Sequence, residues 1–273
     1  MDILLILKAL ILGLVEAASE FLPISSTGHL IIVGDFLNFT GPRAETFEIF
    51  IQLGAILAVV WIYRERLFNV ALNLHRDRKA QQLVLNLLIA FIPAAALGLL
   101  LHPYITHYLF NPVTVAGALV VGGIAILLVE RYAKTSRVHV VDDMSWKDAL
   151  LVGIAQSLAL FPGVSRSGAT IMGGMVGGLS RFAATEFSFF LAIPTMIAAT
   201  LYSLLKEWGH LTSSDIPMFA VGFVAAFLGG LAVVRFMLAY VGRHSFAPFA
   251  WYRILFGGLL LLYFHYHPWS GQS

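Results

Sequence analysis

The sequence contains no cysteine and few charged residues. The absence of cysteine excludes disulfides, thiolate metal sites and cysteine nucleophiles. Only 12% of the residues are charged and the net charge is +2 at pH 7, whereas about 25% of an average soluble domain is charged. The chain also lacks a Walker loop, a dinucleotide-binding glycine fingerprint and a zinc-binding motif. These absences argue against a soluble nucleotide- or zinc-dependent enzyme, and we expect no nucleic-acid partner.

Apolar residues make up 59% of the chain, and most of them lie in long runs. A soluble protein of this composition would expose large apolar patches, whereas a membrane-spanning helix needs about 20 mostly apolar residues. Six runs qualify, namely Phe47–Tyr63, Leu83–Leu101, Val113–Val129, Ala184–Leu204, Ile216–Leu238 and Phe249–Phe264. The sequence therefore predicts an all-α polytopic membrane protein with six transmembrane helices. The first apolar run belongs to the mature protein in this interpretation, because Glu16 and Glu20 stand where a signal-peptide cleavage site needs small neutral residues.

Two further apolar runs are interrupted in the middle by polar residues. Ile3–Leu37 is broken at Pro23–His29, and Ala149–Leu179 is broken at Pro162–Gly168. Each half is too short to cross a bilayer, and irregular backbone at membrane depth is tolerated only inside protein or beside a wet cavity. The sequence therefore predicts two re-entrant helical hairpins with polar tips.

The two interrupted runs align with each other without a gap. The aligned pairs are Gly13 with Gly153, Glu16 with Gln156, Phe21 with Phe161, Ser25 with Ser165, Ser26 with Arg166, Thr27 with Ser167 and Gly28 with Gly168. We interpret this as an internal repeat within a single membrane domain, with copies at about 1–135 and 145–273. Each copy holds one hairpin and three spans, so the second copy is inverted and the two tips are expected to meet near the midplane.

Lys and Arg residues are unevenly distributed between the two sides of this topology. One side collects Arg64, Arg66, Arg76, Arg78, Lys79, Arg131, Lys134, Arg137, Lys147, Arg181 and Arg243, while the other has little beyond Arg43 and Lys206. The positive-inside rule predicts that the rich side is cytoplasmic. Both termini and the mouth of the first hairpin are then expected to face outward.

Glu16 and Glu20 lie one helical turn apart and share a helix face. Two ionised carboxylates at this spacing repel each other, and a divalent cation or a shared proton would relieve the repulsion. Hard cations such as Mg²⁺ or Ca²⁺ prefer oxygen ligands, often completed by substrate phosphates. The alternative is that both carboxylates face water at a helix end, but a carboxylate at membrane depth is costly and usually functional.

The first tip carries hydroxyls at Ser25, Ser26 and Thr27, followed by Gly28 and His29. Free backbone N–H groups and the helix dipole make such a helix start an anion site. His29 lies three residues after Ser26, so the two side chains could form a nucleophile–base pair. Taken alone the pair is weak evidence, because serine caps helices often and a single histidine is commonly an ordinary polar contact.

The second tip replaces Ser26 with Arg166, and Ser165, Ser167 and Thr170 add hydrogen-bond donors for a ligand around a second helix start. The guanidinium can hold phosphate oxygens in a bidentate way and stabilise charge that develops on a transferred phosphoryl group. This difference between the copies indicates a shared site with divided roles. Four other polar residues within the membrane could support the site or hold helices together, and we favour the structural role; they are Glu48, Gln52, Asn86 and Glu186. Glu186 is close to Arg181 in the sequence, which makes Arg181 a candidate partner.

Four segments of the chain resemble a known family. Glu16–Glu20 is similar to an ExxxE motif and Pro162–Thr170 to a PGxSRSxxT motif, while Phe21–His29 and Thr185–Phe189 resemble further segments. These motifs are typical of the bacitracin-resistance family of undecaprenyl-diphosphate phosphatases. The resemblance extends over nearly the whole chain and shows no departure at a motif position.

The resemblance implies a divalent-metal-dependent enzyme that converts a C55 polyprenyl diphosphate into the monophosphate carrier and inorganic phosphate. It also implies a bacterial inner-membrane location, with the site open to the periplasm. Carried over by position, the functional residues are Glu16, Glu20, Ser26, His29 and Arg166. We favour metal binding for the two glutamates, with Glu20 also in the catalytic set. Ser26 is then the nucleophile, His29 transfers a proton and Arg166 clamps phosphate.

Several alternatives remain open at this point. Water could attack directly, with Ser26 only binding phosphate. A lipid flippase or transporter would suit the same fold, and a purely structural membrane subunit is a third option that the buried charges disfavour. The sequence does not fix the oligomeric state, and a homodimer is one option.

Overall fold

The computed structural model describes residues 3–109, 111–133, 135–207 and 215–267. Within these ranges the chain folds into eleven α-helices and contains no β-strand. The helices are α1 (Ile3–Glu20), α2 (Ser26–Phe36), α3 (Pro42–Ile62), α4 (Arg64–Asn73), α5 (Arg78–Tyr108), α6 (Pro112–Tyr132), α7 (Trp146–Ser157), α8 (Arg166–Val176), α9 (Arg181–Glu207), α10 (Ile216–Val241) and α11 (Ala247–Tyr266). Two 3₁₀ turns, Val141–Asp143 and Leu158–Leu160, precede and follow α7.

Six of these helices are long and apolar enough to cross a membrane: α3, α5, α6, α9, α10 and α11. Each contains, to within a residue, one of the six runs identified in the sequence. Large apolar side chains are exposed along them, as on α11, where Leu255 and Leu259 are each 65% exposed. Such surfaces suit lipid rather than water. The prediction of an all-α polytopic membrane protein with six spans is confirmed.

The interrupted runs form two pairs of short helices, α1–α2 and α7–α8. The breaks lie at residues 21–25 and 161–165, so the first break ends earlier than the sequence suggested and His29 is already inside α2. Ser25 and Ser165 cap α2 and α8 by accepting hydrogen bonds from the N–H groups of Gly28 and Gly168. These caps start each helix directly after the break.

Both capping serines have positive φ, 75° at Ser25 and 71° at Ser165. This left-handed backbone is uncommon for a residue with a side chain and costs free energy. The helices that follow, α2 and α8, each contain 11 residues. The same cap and the same backbone conformation therefore occur at the two positions that the sequence alignment pairs. The boundaries of the repeat copies stay a prediction.

Each hairpin packs against a spanning helix from the other half of the chain. A Cβ built on Gly13 of α1 would lie 2.4 Å from the carbonyl oxygen of Gly222 in α10. A Cβ on Gly153 of α7 would lie 2.5 Å from the carbonyl oxygen of Ala90 in α5. Only glycine allows these backbones to approach so closely. The two halves are thus interleaved, and the hairpins are held between them.

Ion pairs at the Arg-rich end of the bundle differ from the prediction. Arg181 pairs with Glu130 of α6 rather than with Glu186. Glu186 instead accepts a hydrogen bond from Arg66 of α4 at 3.0 Å, and Arg66 also contacts Asp142 at 2.7 Å. The expected Arg181–Glu186 pair is therefore wrong, because tertiary packing brings α4 and α6 to the start of α9. Helix α4, which the sequence did not reveal, supplies Arg66.

Candidate active site

The two hairpin tips touch each other inside the helix bundle. Arg166, the first residue of α8, donates from Nε and Nη2 to Oε1 of Glu20 at 3.2 and 3.1 Å. Ser167 donates from Oγ to the carbonyl oxygen of Leu22 in the first tip at 2.9 Å. Arg166 and Glu20 side chains are only 10% and 5% exposed. The structure therefore brings residues of both motifs into one buried cluster.

Glu20 connects the two tips through both of its carboxylate oxygens. Oε2 accepts a hydrogen bond of 2.5 Å from Oγ of Ser26, while Oε1 holds Arg166. Arg166 also donates from Nη1 to the carbonyl oxygen of Ser188 at 2.9 Å. A serine hydroxyl, a carboxylate and a guanidinium thus lie in one chain of hydrogen bonds, and a carboxylate so placed can accept the proton of the hydroxyl.

His29 does not pair with Ser26 in the described hydrogen bonds, although it lies one turn further along α2. Its Nδ1 donates to the carbonyl oxygen of Ser25 at 2.7 Å. Its Nε2 lies 2.6 Å from the hydroxyl of Tyr252 on α11. The ring also stacks on Phe256, with 4.9 Å between ring centroids. The hydroxyl–imidazole pair expected from the spacing is therefore replaced by a Ser26–Glu20 pair, because Glu20 reaches Ser26 across the break.

Glu16 lies fully buried on α1, and neither of its carboxylate oxygens has a hydrogen-bond partner among the described residues. Glu20 and Glu48 lie close enough to repel its charge, and the guanidinium of Arg166 lies close enough to attract it. An unpartnered buried carboxylate beside like charges fits a site for a hard cation. The described residues contain no group of three or more His, Cys, Asp or Glu that could hold an ion. A cation bound by Glu16 would thus need further oxygen ligands from outside this set, such as substrate phosphates or water.

The hydroxyls of the second tip are already engaged within the protein. Ser165 caps α8 and lies 3.1 Å from the hydroxyl of Ser167. Thr170 donates to the carbonyl oxygen of Arg166 at 2.9 Å and lies 2.7 Å from the hydroxyl of Ser188. These contacts shape the tip. Because the hydroxyls already make hydrogen bonds within the protein, fewer of their hydrogen-bonding positions are left for a ligand than the sequence suggested.

Two residues of the first tip were also expected to bind substrate. Thr27 is half-buried, and Gly28 faces Val115 of α6, whose methyl carbon would lie 3.2 Å from a Cβ built on that glycine. Gly28 therefore serves a close helix contact, while its N–H group serves the Ser25 cap.

Arg253 of α11 is a buried residue that the sequence motifs did not identify. Its guanidinium donates to the carbonyl oxygens of Pro23 in the first tip and of Gly163 and Val164 in the second, at 2.9–3.2 Å. It also donates to two carbonyl oxygens of α6. Because it binds both breaks at once, Arg253 fixes one tip against the other. The sequence feature that could have identified Arg253 is the presence of a charged residue within the last apolar run.

Comparison with known proteins identifies the family. The family model described as bacitracin resistance protein BacA matches residues 9–259. This chain belongs to the BacA family. It is 57% identical over 272 residues to the undecaprenyl-diphosphatase of Ectopseudomonas mendocina, covering 99% of each chain. It is 59% identical to that of Nitrosomonas europaea, with 96% of each chain covered. Membership of the BacA family confirms the resemblance read from the motifs.

Among the BacA-family motif residues, the tip cluster unites Glu20, Ser26 and Arg166 directly. His29 lies on α2 within one turn of Ser26, and Glu16 lies one turn before Glu20 on α1. All five residues that the resemblance pointed to therefore lie at or beside the junction of the tips.

Proposed function

We propose that this chain hydrolyses undecaprenyl diphosphate to undecaprenyl phosphate and inorganic phosphate, and so recycles the lipid carrier of cell-wall synthesis. The observation that carries the proposal is the hydrogen-bonded chain Ser26–Glu20–Arg166 at the junction of the tips. The relatives from Ectopseudomonas mendocina and Nitrosomonas europaea, at 57% and 59% identity, are named undecaprenyl-diphosphatases. A translocator would not need an activated hydroxyl beside a buried guanidinium.

In the proposed first step, Oγ of Ser26 attacks the terminal phosphorus of the diphosphate. The hydroxyl proton passes to Oε2 of Glu20, which already accepts it in a 2.5 Å hydrogen bond. The bond between the terminal phosphorus and the bridging oxygen breaks, and undecaprenyl phosphate leaves with the electron pair. Water then hydrolyses the phosphoserine and releases inorganic phosphate, while the Ser26 oxygen recovers a proton. Direct attack by water, with Ser26 as a phosphate ligand, is the alternative route.

Arg166 is proposed to clamp the transferred phosphoryl group. In the structure its fork is held by Glu20 and Ser188. Anionic phosphate oxygens would compete with Glu20 for the guanidinium, and Glu20 released in this way would be a better base for Ser26. α2 begins at Ser26, and the partial positive charge at its N-terminus would also attract the phosphate anion.

His29 is proposed to take up at Nε2 the proton of the water that hydrolyses the phosphoserine, once the hydroxyl hydrogen of Tyr252, which lies 2.6 Å away at that nitrogen, has turned away from the lone pair. Its Nδ1 donates to the Ser25 carbonyl oxygen, so Nε2 carries the lone pair of the neutral ring. His29 lies one turn from Ser26 on α2, at the same helix start as the proposed nucleophile.

Glu16 is proposed to hold a divalent cation, Mg²⁺ or Ca²⁺, with Glu20 nearby. The unpartnered buried oxygens of Glu16 support this assignment. Mg²⁺ is commonly bound through one or two carboxylates together with substrate phosphates and water, which suits the small protein ligand set. Such an ion would neutralise diphosphate charge.

The location is proposed to be the bacterial inner membrane, with the site open to the periplasmic side. The bias of Lys and Arg toward one side of the predicted topology supports this orientation.

A homodimer stays a prediction. Size-exclusion chromatography with light scattering in detergent would measure the mass of the protein without its detergent and so test it.

One assay tests the function. Purified protein in detergent is given a polyprenyl diphosphate, and released phosphate is measured with and without a chelator. We expect phosphate release that the chelator abolishes and that added Mg²⁺ or Ca²⁺ restores. Absence of release at any metal concentration, combined with transfer of labelled lipid between leaflets of a reconstituted vesicle, would favour the flippase alternative.

A further inference from the structure

Tyr252 on α11 makes the only described side-chain hydrogen bond to the imidazole of His29. The Tyr252 oxygen lies 2.6 Å from Nε2 of His29. The two rings are nearly parallel, with centroids 5.6 Å apart, and Phe256 lies against both of them. Tyr252 stands outside every sequence motif described above, so nothing in the family comparison assigns it a role.

The hydrogen bonds of His29 determine which nitrogen carries the proton. Nδ1 faces the carbonyl oxygen of Ser25, which can only accept, so Nδ1 must be protonated. In the neutral ring Nε2 then bears the lone pair, and Tyr252 donates to it. After His29 takes up a proton, Nε2 donates and the Tyr252 oxygen accepts. A hydroxyl can donate and accept, so it can hydrogen-bond to Nε2 in both protonation states of the ring. A carbonyl only accepts and an ammonium group only donates, so neither can do this.

The position of Tyr252 suits such a role. His29 is 9% exposed, whereas Tyr252 is 42% exposed, so Tyr252 extends from the buried imidazole to the surface of the helix bundle. Tyr252 is also followed directly by Arg253, whose guanidinium is bonded to both breaks. The backbone of α11 at this point is therefore fixed relative to the tips, and the tyrosine is held with it.

We propose that Tyr252 is a positioning residue for the phosphatase reaction, which holds the imidazole of His29 in one orientation through both of its protonation states. This inference rests on the proposed function and adds a residue from the end of the chain to the site. The hydroxyl is the part that acts, because the ring alone could be replaced by phenylalanine without loss of stacking. Catalysis, rather than affinity for the lipid, should depend on this hydroxyl.

The test compares Tyr252→Phe with Tyr263→Phe, which removes a hydroxyl from the same helix at a half-exposed site away from His29. Phosphate release from radiolabelled undecaprenyl diphosphate is measured in detergent. We expect Tyr252→Phe to lower kcat roughly three- to tenfold, the range for losing one hydrogen bond between neutral groups, with KM unchanged. Tyr263→Phe should match the wild type.

A double-mutant cycle separates positioning from general structural damage. In a His29→Ala background, Tyr252→Phe should cause no further loss, because the hydroxyl acts through the imidazole. An equal fold-loss in both backgrounds, a change in KM alone, or full activity of Tyr252→Phe would each overturn the proposal. A wild-type protein that releases no phosphate would instead overturn the proposed function on which it rests.

Discussion

Glu20 shows how much of the site depends on the position of a single carboxylate. It lies at the end of α1, and from there it reaches both the first residue of α2 and the first residue of α8. Glu16, one turn earlier, meets no hydrogen-bond donor among the described residues. Two glutamates that look equivalent in the sequence therefore have different surroundings, and we expect different effects when they are changed.

The first prediction concerns Glu16. Glu16→Gln removes the charge from the unpartnered carboxylate and should raise the Mg²⁺ concentration needed for half-maximal phosphate release. The shift should be at least about tenfold, the lower end for losing a residue that merely supports a metal ligand. Glu65→Gln, at an exposed position on α4, is the matched control. An unchanged metal titration in Glu16→Gln would remove this residue from the metal role.

The second prediction concerns Ser26. If its hydroxyl is the nucleophile, Ser26→Ala should lower turnover about 10⁴-fold or more, as for nucleophiles that act within a catalytic unit. Binding of undecaprenyl diphosphate, measured by equilibrium dialysis in detergent, should be nearly unchanged. Ser157→Ala on α7 controls for loss of a serine, because among the described residues this hydroxyl bonds only to the carbonyl oxygen of Gly153. Substantial remaining activity in Ser26→Ala would favour direct attack by water.

The third prediction concerns Arg166. Its planar fork reaches Glu20 and Ser188 at once, and lysine has the charge but not the fork. Arg166→Lys should therefore lose about 10²- to 10³-fold in kcat, as expected for one preorganised donor at developing charge. The loss should not add to that of Ser26→Ala, since both act on one phosphoryl group. If even Arg166→Ala turned over normally, the second tip would lie outside the catalytic site.

At the scale of helices and hairpins, the tips are held by contacts to the backbone. The breaks leave carbonyl groups without helical partners inside the protein, and such groups cost free energy unless they are hydrogen-bonded. Arg253 satisfies carbonyl oxygens from both breaks and from α6. This explains why a guanidinium can be buried here, where its hydrogen-bond partners among the described residues are all carbonyl oxygens.

The fourth prediction follows from this arrangement. Arg253→Lys can reach fewer carbonyl oxygens, so it should lower the thermal unfolding temperature in detergent and lower kcat. Each lost hydrogen bond contributes about 0.5–1.5 kcal/mol, and a buried carbonyl left unpaired costs more. Arg235→Lys, at an exposed position on α10, should change neither quantity. Equal melting temperature and turnover in Arg253→Lys and wild type would show that the tips are held by other contacts.

At the scale of the whole molecule, the two halves are interleaved around the site. α1 packs along α10 and α7 along α5, so each hairpin is supported by the opposite half. Arg66, Arg137 and Arg181 are gathered at one end by pairs with acidic residues. These are members of the set that the sequence placed on the cytoplasmic side. Lys134 and both chain ends lie outside the described residues.

The fifth prediction concerns orientation. The chain has no cysteine, so cysteines introduced singly at Asn73 and His267 report on their own sides of the membrane. Both residues are exposed in the structure. In intact cells an impermeant thiol reagent should label position 267 and leave position 73 unlabelled, because of the Lys and Arg bias. The opposite labelling pattern would reverse the topology and place the site on the cytoplasmic side.

The sequence by itself determined the membrane class, the six spans and the two broken runs. Spanning depends on the length of an apolar run, and a break depends on Pro, Gly and hydroxyl residues next to each other. These are local properties, which a single stretch of chain carries. The motif residues were likewise identified from short segments, and the structure brings Glu20, Ser26 and Arg166 together as one cluster.

Only the tertiary structure decided which side chains meet. Spacing along α2 suggested that His29 faces Ser26, but α11 packs on α6 and brings Tyr252 to the imidazole, 223 positions away in the sequence. The contact between Arg253 and Pro23 joins residues 230 positions apart. Helix periodicity describes neighbours within about one turn, so it carries no information about contacts made when distant helices pack together.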